Sequence, residues 1–407
     1  MGFTVEQECP QCGAPIEMDE ADRILLCPYC NVRNFIFAPN YFRFVLPHKA
    51  VNRDIIYAPY LRFKGNVYSC FGRTIEHRFV DITQLGVKVT GLPGSLGMRP
   101  QAMKLRFVTP DTGGSFLKFS LKATEILADA ARLASGSSTK RIFHRAYIGE
   151  TLSLIYLPLF TDDNSLFDAV LNRRMSDLPP GMLEHSINRN PNSRLTFLST
   201  LCPQCGWNLK AERDSVVLTC GNCDTAWEAV EGRFSRVNLS LVQGDEGSKT
   251  VYLPFWKINA EASGLEIRSF ADFIRLTNQP RVIGREWEDL PMNFWAPAFK
   301  IRPKLFLKLS RQFTISQESF PFEEMIPKGN IHPVTLPRSE AIQGMKLTLA
   351  GSALNRKKVL PVLPQVRFKI KDTGLVYLPF TEGPHEMVQQ HMGICINRNA
   401  LEFGRKL

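Results

Sequence analysis

Long apolar runs are missing from this 407-residue chain. The longest, such as SLIYLPLF at 153–160, are short and carry proline, so no bilayer span is expected. The opening MGFTVEQECP has neither the basic region nor the apolar core of a secretory signal, and Glu6 stands where a myristoylation site needs Ser or Thr. A cytoplasmic protein is the expectation. Also missing are a phosphate-binding glycine loop, a nucleophile elbow and a His-Glu-x-x-His helix. With no convergent catalytic set legible, a binding protein is favoured over an enzyme. Strong compositional bias is absent too. Hydrophobic residues at 44% and aromatics at 10% suit two or three ordinary globular domains.

What the chain does have is cysteine. Eight of its ten cysteines fall into four Cys-x-x-Cys pairs: Cys9/Cys12 with Cys27/Cys30, and Cys202/Cys205 with Cys220/Cys223. In a reducing compartment these are not a disulfide framework. Both sets read C-x2-C-x14-C-x2-C, a spacing that presents four sulfurs to one ion across a hairpin-sized return. The residues after each second cysteine are Gly13, Asn31, Gly206 and Asp224. All four tolerate the left-handed backbone that a tight metal knuckle needs. A redox motif would be single and set at a strand-to-helix turn. These modules resemble zinc ribbons with rubredoxin-type knuckles over residues 9–31 and 202–224. The resemblance implies Zn2+ at two closed four-Cys sites, with iron as the less favoured ion.

The formal charge is +11. Eight thiolates holding two dications would lower it by four, to about +7. The excess is uneven: residues 1–30 hold one arginine against six acids, and 31–110 hold twelve Lys/Arg against three acids. Within it, residues 34–65 interleave Arg43, Lys49, Arg53, Arg62 and Lys64 with aromatic rings. Such a pattern suits single-stranded nucleic acid. It equally suits half-buried strands whose rings face the core and whose cations face water. KIRPKLFLKLSR at 300–311 carries a similar cationic character.

Other patterns recur in order after each module. IIYAPYLRF (55–63) is echoed by TVYLPFWKI (250–258), IYLPLFT (155–161) by VYLPFT (376–381), and FLKFS (116–120) by FLKLS (306–310). An LP-initiated basic stretch at 92–107 has a counterpart at 290–307, and INRN occurs at 187–190 and 396–399. The expectation is a tandem duplication of an α+β, predominantly β unit with few helices: zinc ribbon 1 (1–36), lobe 1 (37–200), zinc ribbon 2 (201–232) and lobe 2 (233–407). Helices are expected at 121–135, 165–174, 269–276 and 385–392, and an exposed loop at 136–139. Prolines of the Tyr-x-Pro strands are expected at edges, ends or bulges. Arg189 and Arg398 of the INRN runs are candidate contacts for an anionic group, or turn residues. The acids at 162–163 read as a surface turn, and His385, His391 and Cys395 as core or surface residues. The functional expectation is a zinc-binding, non-enzymatic adaptor that presents two lobes to a protein partner. Nucleic-acid binding and rubredoxin-like iron electron transfer are the alternatives.

Overall fold

The computed structural model describes residues 2–121, 125, 141–187, 195–244 and 249–405. These build three sheets and, among the described residues, five α-helices, a predominantly β protein. The helix expected at 121–135 and the loop at 136–139 lie outside the described residues, apart from Leu121 and Glu125.

The first ribbon consists of β1 (Thr4–Glu8), β2 (Pro15–Asp19), β3 (Ile24–Leu26) and β4 (Arg33–Phe37). It runs into β5 (Phe42–Val45), β6 (Ile56–Phe71), β7 (Thr74–Leu85), β8 (Lys104–Phe107), β9 (Ser115–Leu117) and β10 (Ile142–Asp162). The hairpin β11 (Ser165–Asp168) and β12 (Arg173–Asp177) follows, then β13 (Ser186–Ile187) and β14 (Thr196–Ser199). The second ribbon carries β15 (Val217–Cys220) and β16 (Thr225–Val230). Beyond it come β17 (Arg233–Leu241), β18 (Thr250–Ser263), α1 (Phe270–Thr277), β19 (Asn293–Pro297), α2 (Pro303–Ser316), β20 (Asn330–Ile331) and α3 (Arg338–Ser352). The chain closes with α4 (Arg356–Val359), β21 (Arg367–Glu382), β22 (Glu386–Gln389), β23 (Ile394–Asn397) and α5 (Arg398–Gly404).

The two Tyr-x-Pro strand pairs have one register. In β6–β10, Tyr57 faces Pro158 and Pro59 faces Tyr156; in β18–β21, Tyr252 faces Pro379 and Pro254 faces Tyr377. A parallel neighbour repeats as well, with Val45 opposite Tyr156 and Leu241 opposite Tyr377. So does a short parallel strand, Tyr57 opposite Phe116 and Tyr252 opposite Ile331. Even the loop bonds match. Gly86 N donates to Pro59 O at 2.9 Å and Ala298 N to Pro254 O at 3.0 Å. Ser120 and Leu121 amides then share Gly86 O, as Thr335 and Leu336 amides share Ala298 O.

These prolines correct the edge-strand expectation, because Pro59 and Pro254 sit inside long, doubly flanked strands. In a strand, a residue's N and C=O point to the same side. Pro59 O meets Gly86, so its nitrogen also points to the gap where β7 ends and β9 begins, and no ladder bond to β10 is lost. Pro254 repeats the arrangement where β19 gives way to β20.

Three other matches are not structurally equivalent. FLKFS places Phe116 and Leu117 in β9, whereas FLKLS lies within α2. In the LP-initiated stretches, β8 joins β1 and β5, whereas β19 pairs with β18. Ile187 lies in β13 against β9, whereas Ile396 lies in β23 against β22. The helices expected at 165–174 and 385–392 are β-hairpins, β11–β12 and β22–β23. Buried side chains alternate along each first strand, at Leu166 and Asp168 and at Met387 and Gln389, a period of two. Asp168 then caps the turn through the amides of Val170 and Leu171, and Gln389 through that of Met392. The expected helix at 269–276 is observed as α1, with a Ser269–Asp272 capping box.

The halves pack through α3, which lies between them. Nine of its fifteen residues are buried, and only Ser339 and Gln343 are exposed, so its polar face is narrow. On one side it meets β18 and β19, on the other β6, β7 and β10. Tyr68, Cys70, Ala146 and Ile148 of the first half thereby join the core of the second. Glu340, buried at the start of α3, accepts hydrogen bonds from the amides of Gly149 and Glu150 in β10.

Candidate metal centre

Each cysteine quartet closes where the sequence places it. The four sulfurs of Cys9, Cys12, Cys27 and Cys30 lie within 4.8 Å of one another, as do those of Cys202, Cys205, Cys220 and Cys223. Edge distances are 3.7 Å (Cys9–Cys30), 3.6 Å (Cys12–Cys27), 3.6 Å (Cys202–Cys223) and 3.5 Å (Cys205–Cys220). A disulfide would require about 2.05 Å. Sulfurs about 2.3 Å from a tetrahedral ion stand about 3.8 Å apart, so both quartets fit a metal.

The knuckles explain the geometry. Gly13, Asn31, Gly206 and Asp224 have φ of 74°, 57°, 73° and 50°, the left-handed turn expected of them. That turn closes Gly13 N onto Cys9 O, Asn31 N onto Cys27 O and Gly206 N onto Cys202 O. It also aims amides at sulfur. Burial opposes ionisation of Cys27, yet the amides of Cys30 and Tyr29 bring its thiol down to about 7. The amides of Cys205 and Gln204 likewise overcome burial and bring Cys202 down to about 6. Ala14, Val32 and Trp207 supply amides to the second cysteines Cys12, Cys30 and Cys205. Asp224 has a further task, since its carboxylate accepts the amide of Ile326 and ties the second ribbon to the body.

Cys9, Cys27, Cys202 and Cys220 are buried, whereas Cys12, Cys30 and Cys205 are exposed. Tyr29 and Trp207, also at the knuckles, are 69% and 59% exposed. On their inner sides the ribbons share a core: Ile24 and Phe35 of the first pack with Leu209, Leu218 and Trp227 of the second. The amides of Arg23 and Ile24 both donate to Arg213 O, at 2.7 and 2.9 Å. β14 adds to this seam by pairing with β4 immediately before the second ribbon begins.

The candidate partner contacts scatter. Arg62 is fully buried; its guanidinium meets both oxygens of Glu20, at 2.9 and 3.2 Å, and also Asp81. It is not a surface group, and its place on β6 is held by charge rather than by solvent. Arg53 is exposed, paired with Asp162 and lying over the Phe160 ring at 5.5 Å. Arg398 pairs with Glu382. Lys49 is exposed, while Arg43 and Lys64 are half-buried. Arg189 lies outside the described residues. Of the interleaved rings, Phe44, Tyr57, Tyr60 and Phe63 are buried, so they are core rather than a stacking platform. The sequence offered no sign of the Glu20–Arg62 pair, because its members are far apart and on different elements.

No protein-family model, curated protein or solved structure matches the chain. Two complete sulfur quartets on a β framework are consistent with a metal-binding protein carrying two metal sites.

Proposed function

We propose that the chain is a zinc-binding, non-enzymatic adaptor of the cytoplasm, organised as ribbon 1 (1–36), lobe 1 (37–200), ribbon 2 (201–232) and lobe 2 (233–407). The observation that carries this reading is the closure of both quartets: four sulfurs fill a tetrahedron and leave no position for a substrate. Each ion would hold a ribbon in shape, and the shared apolar seam would hold the ribbons to one another. Eight thiolates need a reducing compartment, which supports the cytoplasm.

Metal analysis of the purified chain tests the first half of the reading, with two zinc ions per chain and no visible absorption expected. A coloured protein would make it a rubredoxin-like iron carrier instead. Affinity capture with the same sample tests the second half. A defined protein recovered in stoichiometric amount supports the adaptor. Nucleic acid alone, released by moderate salt, overturns it.

A further inference from the structure

A groove of about 780 Å3 lies where α2, α4 and the β22–β23 turn meet Ile75 of the first half. Lys304, Lys308 and Arg311 line one wall, spaced i, i+4 and i+7 on a single face of α2. Arg356 of α4 and Arg281, pinned by a 3.0 Å bond to Ile315 O, also line the groove. Lys304, Lys308, Arg311 and Arg356 form no ion pair among the described residues. Glu318 is the one carboxylate in the lining.

The floor is of another kind. Leu307, Ile315 and Met392 are half-buried there, alongside Ile75. Outside the lining, Val282 follows Arg281 in sequence and is 94% exposed, and Leu354, two residues before Arg356, is 56% exposed. Unpaired cations over apolar side chains call for a ligand that brings carboxylates and apolar anchors together. A nucleic-acid strand needs flat aromatic platforms for its bases, and the lining contains no Phe, Tyr or Trp.

We propose that this groove is the docking site of an acidic, amphipathic peptide segment of a partner protein. The inference rests on the adaptor reading and names the chemistry of its partner. Ile75 is the first half's one contribution to the lining; the other lining residues come from the second half.

The test is fluorescence anisotropy with the intact chain and a fluorescein-labelled Glu/Leu peptide whose leucines recur at helical spacing. Lys308→Glu combined with Arg311→Glu should weaken binding about tenfold and flatten its dependence on NaCl. Val282→Ser combined with Leu354→Ser should weaken it several-fold with the salt dependence retained. Lys118→Glu combined with Arg233→Glu, equal in charge but remote, should leave binding unchanged. Equal losses in the remote variant, or no loss in the groove variant, overturn the proposal. Tighter binding of single-stranded oligothymidylate, lost in the same groove variant, overturns it in favour of nucleic acid. If the groove variants still capture a defined protein partner at full yield, the groove fails and the adaptor stands. If no protein is captured by the unmodified chain, the adaptor fails first.

Discussion

Glu20 accepts two hydrogen bonds from the Arg62 guanidinium, and solvent reaches neither side chain. The pair bolts the end of the first ribbon's hairpin to the central strand β6. Burial pulls the Arg62 pKa down, but Glu20 and Asp81 more than reverse this and hold the guanidinium charged. Arg62→Met would strand Glu20 as a buried, unpaired carboxylate. The expected loss is about 3–5 kcal/mol, read as a lowered denaturation midpoint. Adding Glu20→Gln to it should recover part of that loss.

Metal removal should be felt locally. Chelation, or Cys→Ser at Cys12 or Cys205, is expected to expose residues 9–31 and 202–224 to protease, because an ion held by four thiolates would supply much of a ribbon's folding energy. Unchanged resistance there would count against structural metal.

Stability should fall on both sides of mildly acidic pH. Burial, then proximity to Glu340, raises Glu150 to about 8, and burial raises Glu340 to about 7 against the pull of Lys300 and Arg23. A carboxyl with a raised folded pKa contributes fully below its unfolded value, and that contribution is lost progressively as pH climbs from 4.5 to between 7 and 8. On the acid side, burial and then Lys346 lower His144 to about 4, and burial and then Arg405 lower His332 to about 4. The histidine contribution therefore drops as pH falls from about 6.5 toward 4, offset by the carboxyls until pH passes below 4.5. Glu340→Gln keeps an acceptor for the Gly149 amide and should flatten the alkaline limb in urea titrations between pH 6 and 9. An unchanged limb would remove Glu340 from the account.

The contact across α3 has little slack. A Cβ at Gly344 would lie 3.1 Å from Phe306 Cζ and 3.4 Å from Ile148 Cδ1, whereas one at Gly351 would meet nothing nearer than 3.9 Å. Gly344→Val should cost about 2–3 kcal/mol by overpacking, and Gly351→Ala should gain about 0.5–1 kcal/mol through helix propensity. Equal effects at the two positions would mean that the halves yield freely.

Legibility followed locality. The knuckles were readable because every constraint, from cysteine spacing to the left-handed residue after it, sits within five residues. The Tyr-x-Pro pairs were readable because two copies of one register preserve the same residues. FLKLS and INRN misled because five or four letters match by chance at this length, and neither pair shares a strand partner. α2 hid inside a stretch singled out for its charge, although Phe306, Leu309, Ser310 and Phe313 follow a helical stripe. α3 left no amphipathic trace, being buried against both halves. Arg62 looked like its neighbours, because nothing in YLRFKG distinguishes a cation facing water from one facing Glu20.

The apolar seam between the ribbons has a thermodynamic corollary. If an ion orders Ile24 and Phe35 in one ribbon, the other ribbon's Leu218 and Trp227 meet a surface already formed. Loading of one quartet would then raise the affinity of the other, and by linkage the enhancement would be equal in both directions. Two sites joined in this way would fill as a pair, and the chain would respond to metal supply more steeply than either ribbon alone.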